Sequence, residues 1–399
     1  MTDNESPPSE RKGTDMLTLM LKTASGVAIL IAVGFCVLFA YVAYTKSLYG
    51  RLKDTHDLRK RIEGYAADYM AKRPESGLVI GVIQGTNAAV FAYGHLDGPG
   101  SAVPDADTLF EIGSVTKVFT AIAGETLARE GVFSWTNSVR ELVPPAIDLP
   151  AVFEQMTLEH LASHRSGLPR LPLNLEADKV DLNNPYATYG TNELIDFLKS
   201  YDPKVRPGST LDYSNLGFGL LGWLCELRTG ETLDQVIRSR IALPLGMTNT
   251  GSAFGRTNNI AAGHQVDGGY APYWEFGALA GAGFLKSSLN DLMSFVRANI
   301  RPEDSPMGDV LEACQQKRGE AWTGNVGYGW QLTRTLQGQL DFVWHNGGTG
   351  GFVSFVGFDR NNGNGVVMLS SSGDAMKGDF YLDTLAMEIL KLASKISLD

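Results

Sequence analysis

Strand-forming patterns stand at the two ends of this chain's globular part, and the long stretch between them reads as helices. Near the start, Leu78-Val-Ile-Gly-Val-Ile and Ala88-Ala-Val-Phe-Ala-Tyr flank Gly85-Thr86-Asn87, a turn signal that makes the pair a hairpin. Strands return at Asp341–Trp344, Gly351–Phe358 and Val366–Leu369, with Asn361-Asn362-Gly363-Asn364-Gly365 as the turn between the last two. Isolated strands are not stable, so both ends must contribute to one sheet. The middle, from about Val118 to Gln331, reads as helices joined by Gly/Pro loops. The expected fold class is therefore α+β: one antiparallel β-sheet, closed by both ends of the chain and flanked by helices, beside a helical lobe. An amphipathic helix over Asp57–Ala71, with Leu58, Ile62, Tyr65 and Tyr69 on one face, opens the domain, and a helix over Tyr381–Ala393 ends it.

Ahead of this domain the chain changes character. Residues 1–22 form a polar tail of mixed charge, with Ser6-Pro-Pro-Ser9 marking it as disordered. No charged residue occurs from Thr23 to Tyr44. About 20 apolar residues span the hydrocarbon layer as a helix, so residues 23–45 are expected to be a transmembrane anchor. Lys22 and Lys46 bracket it, and Tyr41 and Tyr44 stand where an interfacial belt would be. A cleaved signal peptide fits less well, because the apolar stretch and its leader are both long and no A-x-A site follows. A mitochondrial transit peptide is disfavoured by Asp3, Glu5, Glu10 and Asp15. A linker over 46–54 leads to a domain expected over 55–395. The Lys and Arg residues between Lys46 and Arg61, counted alone, favour a cytoplasmic side for that domain, but large domains translocate regardless of such charge.

A formal net charge of −10 and the absence of a basic run with interleaved aromatics argue against a nucleic-acid partner. The three cysteines, Cys36, Cys225 and Cys314, form neither a disulfide framework nor a zinc pattern. Cys225 and Cys314 read first as buried free thiols, with a bridge between them as the alternative.

Three short motifs carry the chemistry. Gly113-Ser114-Val115-Thr116-Lys117 opens a helix to about Arg129, with Gly131 as its stop. Residues three apart share a helix face, so Lys117 sits one turn from Ser114. A buried, neutral lysine amine can take the serine proton, and the helix N-terminus favours an oxyanion. Taken alone, S-x-x-K is weak: it also occurs at Ser9–Lys12, and Ser114 could be an N-cap and Lys117 a solvated lysine. The second motif, Tyr213-Ser214-Asn215, is the chain's one Y-x-N and precedes an apolar helix over Leu216–Leu227. A phenolate can share the base role and an amide can hold a substrate carbonyl, although a turn Tyr with an Asn cap reads equally well alone. The third, His345-Asn346-Gly347, is the one H-x-G. It ends a strand and runs into Gly348-Thr-Gly-Gly351, where missing side chains let a substrate backbone lie along the strand edge.

The order S-x-x-K, Y-x-N, H-x-G resembles the class C β-lactamase and penicillin-binding-protein group of serine hydrolases. Further matches are Leu161-Ala-Ser-His-Arg-Ser-Gly-Leu-Pro169, Pro207-Gly208, Pro244-Leu-Gly-Met247, Gly281-Ala-Gly-Phe284 and Tyr328-Gly-Trp330. Trp344–Phe352 most resembles the D-alanyl-D-alanine carboxypeptidase/endopeptidase-like members. The resemblance implies a β-lactamase/transpeptidase-like fold and an acyl-enzyme on Ser114. Lys117 and Tyr213 would share the general-base work, and the N–H groups of Ser114 and Gly348 would form the oxyanion hole. Asn215 would orient the substrate amide, while His345 and Asn346, with Gly347 and Gly348, would line the far wall. The substrate would be a D-amino-acid peptide or a β-lactam-like small molecule, with no metal or organic cofactor. The N-terminal helix would meet membrane lipid, single-pass, with the catalytic domain periplasmic or otherwise extracytoplasmic. A β-lactamase, an esterase and a receptor that acylates without turnover remain alternatives.

His345 departs from class C β-lactamases, where a lysine is expected. No class A deacylation element occurs either, because Glu193-Leu194 lacks the following Asn. Glu193 reads instead as the first turn of a helix capped by Thr191 or Asn192. His160 and His164 read as structural. Tyr270, Tyr273, Trp274 and Phe276 are candidates for a cleft wall or for loop packing.

Overall fold

The computed structural model describes residues 57–398 apart from 176–180, 182, 203–204, 253–258, 322–323, 335–340 and 374–380. The expected tail, anchor and linker, with Cys36, lie outside the described residues. Among the described residues, no helix is long and apolar enough to cross a membrane.

The first helix, α1 (Leu58–Met70), starts where Asp57 caps it by accepting the Lys60 N–H, and it buries Leu58, Ile62, Tyr65 and Tyr69 as their spacing dictates. Strands β1 (Gly77–Gln84) and β2 (Asn87–Gly94) form the hairpin, with Gly85 at φ +61° in its turn. Helix α2 (Thr116–Arg129) is buried on nearly every side. Helix α3 (Asn215–Thr229) is buried from Asn215 to Cys225 and ends on Gly230 at φ +72°. Together these two form the centre of the helical lobe. Helix α4 (Leu289–Ile300) lies between that lobe and the sheet. Three short strands follow, β3 (Gly319–Ala321), β4 (Gly324–Val326) and β5 (Gln331–Arg334), then β6 (Asp341–Gly348), β7 (Val353–Asp359), β8 (Asn364–Ser370) and the last helix, α5 (Tyr381–Ala393).

The sheet order is β2-β1-β8-β7-β6-β5-β4-β3, antiparallel throughout. β1 pairs with β8 from Leu78↔Ser370 to Gln84↔Asn364, so the two ends of the domain meet inside the sheet, one strand in from its β2 edge. β1, β7 and β8 are buried almost throughout, because α4 covers one face and α5 the other. Phe119 of α2 stacks on Phe295 of α4 at 4.5 Å between ring centroids, and Phe295 lies 6.0 Å from Trp330, which meets Phe358 of β7 edge-on. This aromatic chain fixes the lobe against the sheet.

Three expectations need correction. β3, β4 and β5 fall in the stretch expected to be helical; they are too short to carry a clear period-2 pattern and exist because β6 offers them an edge. The helix over Thr191–Ser200 is capped by Gly190, whose N–H the Glu193 carboxylate accepts at 2.9 Å, and not by Thr191 or Asn192. β6 runs on through His345-Asn346-Gly347-Gly348 instead of ending at Trp344. Cys225 and Cys314 are free, buried thiols, which excludes the bridge.

Candidate active site

β5 pairs with residues 341–344 alone, and the edge of β6 beyond Trp344 faces the start of α2. Ser114 lies in a single 3₁₀ turn, Gly113–Val115, directly before that helix. Several bonds hold the turn: Ile112 N–H donates to Leu285 O at 3.0 Å, Leu285 N–H to Thr116 Oγ1 at 3.2 Å, and Ser354 Oγ of β7 to Ile112 O at 2.8 Å. Gly113 takes φ +46°, and a Cβ there would come within 2.7 Å of Gly348 N. A Cβ on Gly347 would overlap Ile112 O and come within 2.9 Å of Ser114 N. Glycine is thus required on both sides of the seam, and its absence of side chain brings the Ser114 and Gly348 backbones together.

Lys117 is wholly buried. Its Nζ lies 3.0 Å from Ser114 Oγ and donates to Ala282 O at 2.7 Å. Burial holds its pKa well below the ordinary lysine range, and the Arg170 charge adds to this. A neutral amine donating to Ala282 keeps its lone pair for the serine hydroxyl. The Ala282 carbonyl belongs to Gly281–Phe284, which approaches α3 closely: a Cβ on Gly281 would come within 3.2 Å of Gly222 Cα.

Tyr213 precedes α3. Burial pushes its pKa up to about 12 against the lowering pull of the neighbouring Ser114 hydroxyl and the Arg170 charge. Ser214, not Asn215, caps α3 by accepting the Gly217 N–H at 2.9 Å. Asn215 Nδ2 donates to Tyr186 Oη at 3.2 Å, and Asn215 Oδ1 is buried without a partner among the described residues. Tyr186 stacks on Phe276 at 5.0 Å and meets Trp274 edge-on at 5.4 Å, so these two line the Asn215 wall. Tyr273 packs on Phe352 instead, and Tyr270 is exposed.

The His345 ring is buried, with its centroid 6.3 Å from that of Tyr213. Nδ1 lies 2.6 Å from Asn346 O, so it carries the proton; Nε2 is buried without a partner. Burial, then the neighbouring Lys117, pushes its pKa down to about 3, and the ring is neutral. Asn346 departs from the expected far wall. Successive strand residues point to opposite faces, and its amide donates at 2.6 Å to Asp383 of α5.

Two residues were missed as site residues. His164, at φ +56°, stacks on Tyr213 with centroids 4.4 Å apart and accepts the Ser214 N–H on Nδ1 at 3.1 Å. It positions Tyr213 from behind. Arg170 sets its guanidinium 5.0 Å from the Tyr213 ring centroid. Both fall in or beside Leu161–Pro169, a stretch noticed as a match but carrying no chemical pattern of its own. His160 is structural: its Nδ1 accepts the Thr157 N–H in a capping box. No group of three potential metal ligands occurs among the described residues.

Known proteins resemble this chain in sequence and fold. Residues 62–391 match the family model described as Beta-lactamase. A beta-lactamase of Escherichia coli K12 is 25% identical over 331 residues, covering 74% of this chain and 84% of that protein. The D-alanyl-D-alanine-carboxypeptidase/endopeptidase AmpH of the same organism is 24% identical over 327 residues, covering 78% and 83%. The crystal structure of a beta-lactamase/D-alanine carboxypeptidase from Pseudomonas syringae superposes with a TM-score of 0.73 at 23% identity, covering 84% of this chain and 98% of that one.

Proposed function

The chain belongs to the beta-lactamase family, and we propose that it is a serine peptidase of the D-alanyl-D-alanine carboxypeptidase/endopeptidase kind, acting through an acyl-enzyme on Ser114. The observation that carries this is the 3.0 Å contact between Ser114 Oγ and the Nζ of a buried lysine, at a helix start that abuts a glycine strand edge.

In the proposed reaction Lys117 takes the Ser114 proton as Oγ bonds to the substrate carbonyl carbon. The carbonyl electron pair moves to oxygen, where the N–H groups of Ser114 and Gly348 hold it. The tetrahedral intermediate collapses, the C–N bond breaks, and the leaving nitrogen takes a proton through the Tyr213 hydroxyl. Water then attacks the ester carbon as Lys117 takes its proton; the second tetrahedral intermediate collapses, the Oγ–C bond breaks, and Lys117 returns the proton to Ser114 Oγ as the acid product leaves. The lowered lysine pKa and raised tyrosine pKa divide the work in this direction: Lys117 is the base, and Tyr213, protonated, is the relay. Asn215 Oδ1 offers an acceptor to a substrate amide N–H.

His345 supports the peptidase reading over an efficient β-lactamase, since a neutral ring gives no fixed cation for a β-lactam carboxylate. An esterase or a slowly deacylating receptor would use the same groups. The test is labelling by fluorescent penicillin and fluorophosphonate, with D-Ala-D-Ala peptide hydrolysis. Wild type should label and turn over; Ser114→Ala should do neither while keeping its near-UV circular dichroism. Labelling of the folded variant at the wild-type rate refutes the nucleophile, and labelling without turnover identifies the receptor. We also propose that residues 23–45 anchor the chain in a membrane with the catalytic domain outside the cytoplasm, on the strength of their uncharged, apolar run.

A further inference from the structure

Arg170 is a permanent cation beside the site, and the chemistry above uses its charge only through the lowered Lys117 pKa. Its place is fixed by the backbone: Arg170 O accepts the N–H groups of Asn215 at 3.0 Å and Leu216 at 3.3 Å, in the first turn of α3. Its guanidinium lies over the Tyr213 ring, and its charge is felt by Lys117, Tyr213, His164 and Tyr186. The side chain is exposed, and no carboxylate or carbonyl among the described residues pairs with it. Other arginines of this domain are engaged: Arg129 with Glu125, Arg240 with Glu130 and Glu231, Arg165 with two backbone carbonyls. Lys286 is tied to Glu111 at 3.5 Å.

We infer that Arg170 reads a carboxylate on the acyl side of the substrate, the part that lies along Asn215 and Tyr186. The inference rests on the serine-acylation reading and narrows it: the preferred acyl donors carry an anionic group near the scissile carbonyl. A guanidinium suits this task because its planar fork matches a carboxylate bidentately, and stacking on a ring holds the fork in place. The site's charge is arranged accordingly, with a cation on the Asn215 wall and a neutral histidine on the strand edge.

The rival role for Arg170 is electrostatic support of the neutral Lys117, which would affect every substrate alike. Two esters separate the roles: 4-nitrophenyl hydrogen glutarate, with an acyl-side carboxylate, and neutral 4-nitrophenyl valerate. Wild type should prefer the glutarate, and the preference should shrink with added salt. Arg170→Gln should lower kcat/KM for the glutarate about 10- to 100-fold more than for the valerate, the extra loss falling chiefly on KM, while any loss common to both esters reports the effect on Lys117. Arg170→Lys should recover part of the preference. Equal losses on both esters, or no loss on either, overturn the proposal and leave Ser114 acylation standing. Failure of the wild type to release even a single-turnover burst of 4-nitrophenol from either ester, or equal turnover by Ser114→Ala, overturns the acylation reading and this inference with it.

Discussion

Replacing His345 tests how the site treats charge. Its pKa is pushed from 6.5 to about 3, so charging the ring costs on the order of 5 kcal/mol, at about 1.4 kcal/mol per tenfold. At pH 7 about one ring in ten thousand is cationic. His345→Gln should therefore leave the pH profile of kcat/KM without losing any ionisation near 6.5. His345→Lys places an amine beside Lys117, the same neighbour that opposes protonation of the histidine. Its pKa should be depressed, but it remains partly charged at neutrality. Two unit charges 4 Å apart interact by about 4 kcal/mol at an effective dielectric constant of 20, and desolvation offsets much of this. A gain of about tenfold in the ratio of kcat/KM for a carboxylate-bearing cephalosporin over a neutral ester is expected, fading as pH rises through the lysine pKa. The assay is both substrates, with wild type and both variants, from pH 5 to 9. Equal changes for both substrates at every pH would refute charge selection at this position. An ionisation near 6.5 present in wild type and missing in His345→Gln would refute the neutral ring.

Two further predictions rest on the structure and one on the sequence. Gly347→Ala, whose Cβ would press on Ile112 O and Ser114 N, should slow Ser114 acylation by about 10²–10³, the cost of one displaced oxyanion donor, while the melting temperature falls by only a few degrees; wild-type labelling kinetics would remove the seam from the mechanism. Burial raises the Asp383 pKa to about 7, so the folded state keeps a proton that the unfolded chain releases near pH 4. Its contribution to stability is thus fully present below pH 4 and is lost as pH rises toward 7; Asp383→Asn should gain on the order of 1–3 kcal/mol over wild type across that window in urea unfolding, and a pH-independent difference would exclude this. The full chain should sediment with membranes, whereas a form beginning near Leu52 should be soluble and active; full-length, uncleaved protein in the soluble fraction would remove the anchor.

Much of this protein was legible in its sequence, for local reasons. The amphipathic spacing of Leu58, Ile62, Tyr65 and Tyr69, the turn at Gly85, and the strands around Val356 and Val367 follow from period and turn chemistry alone. The pairing of Ser114 with Lys117 follows from one helical turn. The environment of those groups was not legible, because it depends on residues far away in the chain. The Lys117 pKa is held well down because the lobe encloses the amine and the Arg170 charge, 53 positions on, adds to this. His345 stands out by its motif and His164 reads as structural, but that folding buries both rings beside Tyr213 could not be read from either stretch. β3–β5 took their conformation from an edge that β6 supplied, and Asn346 its orientation from the pleat and Asp383. A sequence fixes which groups are present and how neighbours along the chain share a face; burial and electrostatic surroundings arise only when distant segments meet, and here they lower the Lys117 pKa and raise that of Tyr213.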